Sequence, residues 1–223
     1  MKNDEVLHRP LGLSHIVENV SLQRQNKKKS FPYQGIWIAS GSQGAGKTLY
    51  IISVLRSLYM QYPNIKIYSN IALYGIPFKP YTGIEDFEDT NGEDGIVYVI
   101  DEIHCLYSSL ESRKMSGSYL TVWSQNRKNK RLILGTSQRW TRVAKPIREQ
   151  ALINIECRGS IFPFLRKYRI VDASLFDDNG KLPPDIKVDR WHFYVPTAYS
   201  MLTYDTSQIV KSTEELSKEV KSE

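Results

Sequence analysis

Ile36-Trp37-Ile38-Ala39-Ser40-Gly41-Ser42-Gln43-Gly44-Ala45-Gly46-Lys47-Thr48 reads as an apolar strand running straight into Gly-x-x-x-x-Gly-Lys-Thr. That spacing is a P-loop, the turn that wraps a nucleoside triphosphate. Its glycines let the backbone aim N–H groups at a β-phosphate. Lys47 supplies a point charge to the β- and γ-phosphates, and Thr48 offers a hydroxyl to Mg²⁺. The helix expected to begin at Lys47 points its positive end at the same anion. Gly41, Ser42, Gln43, Gly44, Ala45, Gly46, Lys47 and Thr48 are therefore the expected nucleotide-binding residues. An ordinary glycine turn is the bland reading. The apolar strand before the loop and the helical pattern after it are the context that the motif requires.

Working outward, residues 49–62 are rich in helix formers. Leu49, Ile51, Ile52, Val54, Leu55 and Leu58 cover much of the circumference, as in a helix buried against a sheet. Pro63 ends it. Residues 65–73 read as a second strand, 74–82 as a loop and 84–87 as a helical turn. Residues 95–102, Gly-Ile-Val-Tyr-Val-Ile-Asp-Glu, form a near-continuous apolar run, the mark of a strand buried on both faces. Residues 116–128 carry a helical pattern, and 132–136 and 152–157 are further buried strands. Strands alternating with helices predict a mostly parallel α/β sheet. Residues 168–171 and 191–195 add strands around a polar turn at 177–180.

The organisation expected is a polar extension with a lysine-rich linker over residues 1–34, a nucleotide-binding domain over 35–200, and a charged tail or helix over 201–223. A chain of 223 residues is long enough for one domain with a full core. The net charge of +6 suits a polyanionic partner. Cys105 and Cys157 each lie in or beside an apolar segment and are expected to be buried thiols in a reducing compartment. The four histidines form no metal-ligand spacing with them. With no signal-peptide pattern and no apolar run as long as a membrane span, a cytosolic location is expected.

The strand ending in Asp101-Glu102 is the expected companion of a P-loop. Asp101 is placed to hold Mg²⁺, and Glu102 to orient and deprotonate an attacking water. Two acidic residues capping the next helix are the alternative, weakened by the P-loop upstream. Leu132-Ile133-Leu134-Gly135-Thr136-Ser137-Gln138 places an amide at the carboxyl end of a neighbouring strand, where open α/β sheets bind ligands. Gln138 is expected to sense the γ-phosphate or to hold the lytic water. Around that strand crowd Arg127, Lys128, Lys130, Arg131, Arg139, Arg142, Lys145 and Arg148. Some belong to a solvated face; others suit transition-state charge or DNA phosphates. Trp140 among them is expected to serve packing more than base stacking. No Asn-Lys-x-Asp guanine-reading motif occurs, so ATP is the expected nucleotide.

The block Asn126-Arg127-Lys128-Asn129-Lys130-Arg131-Leu132-Ile133-Leu134-Gly135-Thr136-Ser137-Gln138-Arg139 resembles the Gly-Arg-Lys…Ala-Thr-Gln-Arg segment of the FtsK–HerA superfamily of DNA-pumping ATPases. With Tyr98-Val99-Ile100-Asp101-Glu102-Ile103-His104, residues 35–160 are most similar to small viral genome-packaging ATPases of the tectivirus type. They also resemble the zonula-occludens-toxin-like proteins of filamentous phages. The resemblance implies an α/β fold, a RecA-like P-loop NTPase of the ASCE type with a mostly parallel central sheet flanked by helices. It implies ATP and Mg²⁺ as cofactors, with Lys47, Thr48, Asp101, Glu102 and Gln138 in the roles given above. It also implies a homo-oligomeric ring in which Arg127 reaches the next subunit's ATP. Asn126 stands where the family has glycine, and Arg139, Arg142 and Arg148 are the rival fingers.

The implied function is a motor that drives double-stranded DNA, without reading its sequence, into a capsid. Its expected partners are capsid vertex proteins, and its expected location is the host cytoplasm or the packaging vertex. Assembly and extrusion of filamentous phage is the alternative use of the same engine. A P-loop kinase is the alternative of another chemistry, but the Asp-Glu pair suits water attack better. A nucleotide-locked protein that only shapes an assembly is the non-catalytic alternative.

Overall fold

A computed structural model describes residues 30–106, 129–159, 165–196 and 203–204. The elements run β1 (Gly35–Ser40), α1 (Lys47–Gln61), β2 (Lys66–Ser69), β3 (Lys79–Pro80), β4 (Ile96–Ile100), α2 (Ile103–Leu106), β5 (Arg131–Ser137), α3 (Lys145–Gln150), β6 (Ala151–Gly159), β7 (Arg166–Asp172) and β8 (His192–Tyr194). They build one eight-stranded sheet in the order β3-β2-β4-β5-β1-β6-β7-β8. Every pairing from β3 to β6 is parallel, and β7 and β8 complete the sheet antiparallel. This is the expected α/β, RecA-like architecture. β5 stands between the P-loop strand β1 and the Asp-Glu strand β4.

The apolar runs of β1, β4 and β5 follow from burial on both faces. Trp37, Ala39, Val97, Val99, Leu132 and Leu134 pack toward α1, whereas Ile36, Ile38, Tyr98, Ile100 and Ile133 pack on the other face with Ile103, Trp140 and Ile147. The alternation is the two-residue period of a strand. α1 sinks Ile51, Ile52, Leu55 and Leu58 completely. Truncating either leucine to alanine should cost about 2–5 kcal/mol. The helix stops at Tyr62, ahead of Pro63, and Phe31 and Tyr33 close its end with edge-on rings at 5.4 and 6.1 Å from Tyr62. Thus residues ahead of β1 already belong to the core.

Several expectations are redrawn. The second strand is shorter than residues 65–73, because the chain turns away after Ser69 and the Asn70 side chain bonds to the Asp101 backbone. The expected loop at 74–82 contributes the edge strand β3, whose proline is tolerated at a sheet edge. α3 was not foreseen, although Pro146 at its start is a helix-opening signal. Cys157 is buried, but Cys105 is exposed. Ile103 takes the inward position of α2, and two residues later the helix has turned by about 200°, facing Cys105 outward. The helical pattern at 116–128 and the tail beyond residue 204 lie outside the described residues.

Candidate nucleotide site

The P-loop turns because its glycines stand where side chains cannot. A Cβ on Gly41 would lie 2.2 Å from the Cys157 carbonyl oxygen on β6. Gly46 holds φ of 88°, the left-handed conformation that favours glycine, directly before α1. No side chain caps α1, and its first turn carries no acidic residue. Its N–H groups and positive dipole end therefore remain directed at whatever anion enters the loop. Lys47 is 7% exposed, and its Nζ donates to the Ser42 carbonyl at 3.2 Å. The ammonium is thus held over the loop and away from bulk water.

The Asp-Glu strand arrives beside this turn through β5. Thr48 Oγ1 donates to Asp101 Oδ1 at 2.8 Å. These two hard oxygens, one from the first turn of α1 and one from the end of β4, are the donor set that suits Mg²⁺. Thr136, at the end of β5, donates its hydroxyl to the same Asp101 oxygen at 2.7 Å and accepts the Glu102 N–H at 2.9 Å. From the opposite side, the Asn70 amide donates to the Asp101 carbonyl at 2.9 Å and accepts the Asp101 N–H at 2.8 Å. Side chains from the two strands flanking β4 therefore clamp one peptide. The clamp matters because Glu102 adopts φ of 51°, a left-handed conformation costing roughly 1–2 kcal/mol for a residue with a side chain.

Glu102 has the environment of a base. Burial pushes its carboxyl above the ordinary range; the Lys47 charge opposes that shift and Asp101 adds to it. Its Oε2 is buried and lacks an aligned hydrogen-bond donor, although His104 Nδ1 lies 3.1 Å away. Burial, with the charges of Arg142 and Lys47, pushes His104 below its ordinary value. Gln138 lies beside the Glu102 carboxyl and lowers its pKa, and it accepts from Arg142 Nη1 through its Oε1 at 2.7 Å. Arg142, one of the rival fingers, is thus tied to Gln138 within its own chain. Tyr194 donates to the Gly46 carbonyl at 3.1 Å, and Arg166 packs beside it against the same glycine.

The structure brings Lys47, Thr48, Asp101, Glu102 and Gln138 close to one another. Arg127 lies outside the described residues. Asn70, Thr136, His104 and Tyr194 were missed. Asn70 and Thr136 are polar residues at the carboxyl ends of the strands on either side of β4, and that position is the signal that marks them. Among the described cations around β5, Lys130, Arg131 and Lys145 are engaged within the chain. Lys130 bonds Glu93 and Ser30; Arg131 is 3% exposed and donates to the Asp89 carbonyl; Lys145 lies 3.7 Å from both Glu149 and Asp178. Trp140 packs on Phe176 with ring centres 5.0 Å apart.

Fold and site together define a P-loop NTPase of the RecA-like class. The chain resembles the N-terminal domain of zonular occludens toxin from Neisseria meningitidis, with a TM-score of 0.55 at 14% identity over 77% of this chain and 98% of that one. It also matches B204, the DNA-packaging ATPase of Sulfolobus turreted icosahedral virus, with a TM-score of 0.49 at 12% identity over 73% and 98% of the two chains. The genome-packaging NTPase B204 of Sulfolobus turreted icosahedral virus 2, in complex with AMPPCP, gives a TM-score of 0.47 at 13% identity over the same shares. No protein-family model matches the sequence, and no curated protein matches it at the sequence level. The likeness to the Neisseria domain establishes a shared fold.

Proposed function

We propose that this protein hydrolyses ATP and uses the released energy to translocate double-stranded DNA into a viral capsid, working as a homo-oligomeric ring. The observation that carries the ATPase reading is the convergence of Lys47, Thr48, Asp101, Glu102 and Gln138 at the carboxyl ends of β1, β4 and β5. The triphosphate enters the P-loop with its β-phosphate on the α1 N–H groups and its γ-phosphate toward Glu102. Mg²⁺, held by Thr48 and Asp101, would supply charge neutralisation at the phosphate oxygens. Gln138 orients a water in line with the γ-phosphorus. Glu102 takes one of its protons as its oxygen bonds to phosphorus, the β–γ bridging bond breaks, and ADP and phosphate leave. Arg127 is the assigned finger from the next subunit.

The DNA step rests on the resemblance of the Arg127–Gln138 region to DNA-pumping ATPases and on the positive net charge. The test is Mg²⁺-dependent phosphate release by the full chain, with and without duplex DNA and empty capsids. Stimulation by duplex and protection of capsid-enclosed DNA from nuclease are expected; hydrolysis indifferent to DNA would overturn the motor reading. Use of the same engine in filamentous phage assembly is the second reading, favoured by the fold shared with the Neisseria domain. Activity that requires an inner-membrane fraction, and not capsids, would select it.

A further inference from the structure

The sequence directs attention to the cations around β5, but the fold sets a second group of cations directly opposite one another on a different part of the sheet. On the outer antiparallel strands, Arg158 of β6 stands directly opposite Lys167 of β7, and Lys167 stands opposite Phe193 of β8. Like charges in direct cross-strand register are destabilising. Arg158, Lys167 and Arg169 all gather on the Trp191 ring, at 4.7, 5.5 and 5.0 Å from its centre. The ring's negative faces offset part of the repulsion. Arg169 is neutralised by Glu156 at 2.8 Å. Arg158 and Lys167 have no acidic partner among the described residues. Phe193 and Val195 beside them are 57% and 56% exposed. A stability-driven design places an acid in one of those two opposed positions. Two cations held there beside an aromatic ring form a positive ridge.

We propose that this β6–β8 face binds the phosphate backbone of double-stranded DNA, with Arg158 and Lys167 as its two principal contacts. The proposal rests on the motor reading above and moves the DNA contact from the β5 cluster to the sheet's antiparallel edge. Three cations lie over the Trp191 ring, which therefore supports charge, and phosphate contact of this kind carries no sequence information. Arg158 also lines a cavity of about 340 Å³ that Gln138, Arg139 and Trp140 line with it, so the ridge and the Gln138 loop border one space.

The experiment is salt-dependent binding of two fluorescent duplexes of unrelated sequence to the full chain. Arg158→Gln with Lys167→Gln should lower the slope of log affinity against log salt by about 1.8, and weaken binding at 0.1 M salt by tens of fold, equally for both duplexes. Lys130→Gln with Lys145→Gln removes the same charge from the paired cluster and should leave the slope unchanged. Arg158→Lys should retain it, which separates loss of charge from loss of fold, as should an unchanged DNA-free ATPase rate in every variant. If the β6–β7 double variant binds like wild type while wild type binds DNA, this surface is wrong and the motor reading stands. If wild type binds neither duplex, both fall.

Discussion

The carboxyl ends of β1, β4 and β5 and the antiparallel edge β6–β8 belong to one sheet, yet they treat charge in opposite ways. At the strand ends, the reactive groups are tied to one another. Asp101 receives hydroxyls from both Thr48 and Thr136, its peptide is clamped by Asn70, and Lys47 rests on a loop carbonyl. At the edge, Arg158 faces Lys167 without an acid between them. The first arrangement is fixed in advance for a compact anion whose charge shifts during reaction, where preorganised dipoles act most strongly. The second is an open ridge suited to an extended anion that must slide. On the proposals above, chemistry falls to the parallel half of the sheet and polymer contact to the antiparallel half.

Breaking the first region should have the largest effect. Lys47→Ala should lower ATP turnover by roughly 10²-fold or more, because its charge meets the transferring phosphoryl. Steady-state phosphate release checks this, and turnover within twofold of wild type would detach Lys47 from the site. Thr136→Val and Asn70→Ala come next. Each strips the clamp from a left-handed Glu102 and leaves a partner unsatisfied, so stability should fall by about 1–3 kcal/mol. Turnover should fall with it while ATP binding persists. Chemical denaturation together with nucleotide titration separates the two effects; equal turnover would mean that the clamp is irrelevant to catalysis.

A smaller effect sharpens the contrast through pH. Because burial raises the native Glu102 carboxyl above its unfolded value, ionising it opposes folding. The penalty is absent below the unfolded value, grows as pH rises through the raised native one, and is constant above it. Glu102→Gln should therefore melt higher than wild type at neutral pH, with the gap closing toward about pH 4. Melting curves across that range check the sign. Smallest for DNA-free hydrolysis is the loss of Arg158 and Lys167, which should leave that rate unaltered while duplex affinity drops.

What was legible in sequence was whatever is local. The P-loop is a run of adjacent residues, so its glycines and lysine declared the strand, the turn and the helix together. Asp101 and Glu102 were legible because they end an apolar strand. Asn70 acts on a peptide 31 residues away, and only strand order brings it there. Arg158 and Lys167 looked like ordinary strand cations until register set them opposite each other. Conversely, the cations around β5 formed the obvious cluster in sequence, but contacts such as Lys130 with Glu93 join residues far apart in the chain and escape any linear reading. The exposed Cys105 depended on the phase of a single helical turn, which an apolar neighbourhood does not fix.

The most direct test of the account is single-turnover hydrolysis by Glu102→Gln, with ATP affinity measured on the same protein. The account predicts nucleotide binding within a few-fold of wild type and a chemical step slowed by roughly 10²–10⁴-fold. A variant that cleaves bound ATP at the wild-type rate would contradict it.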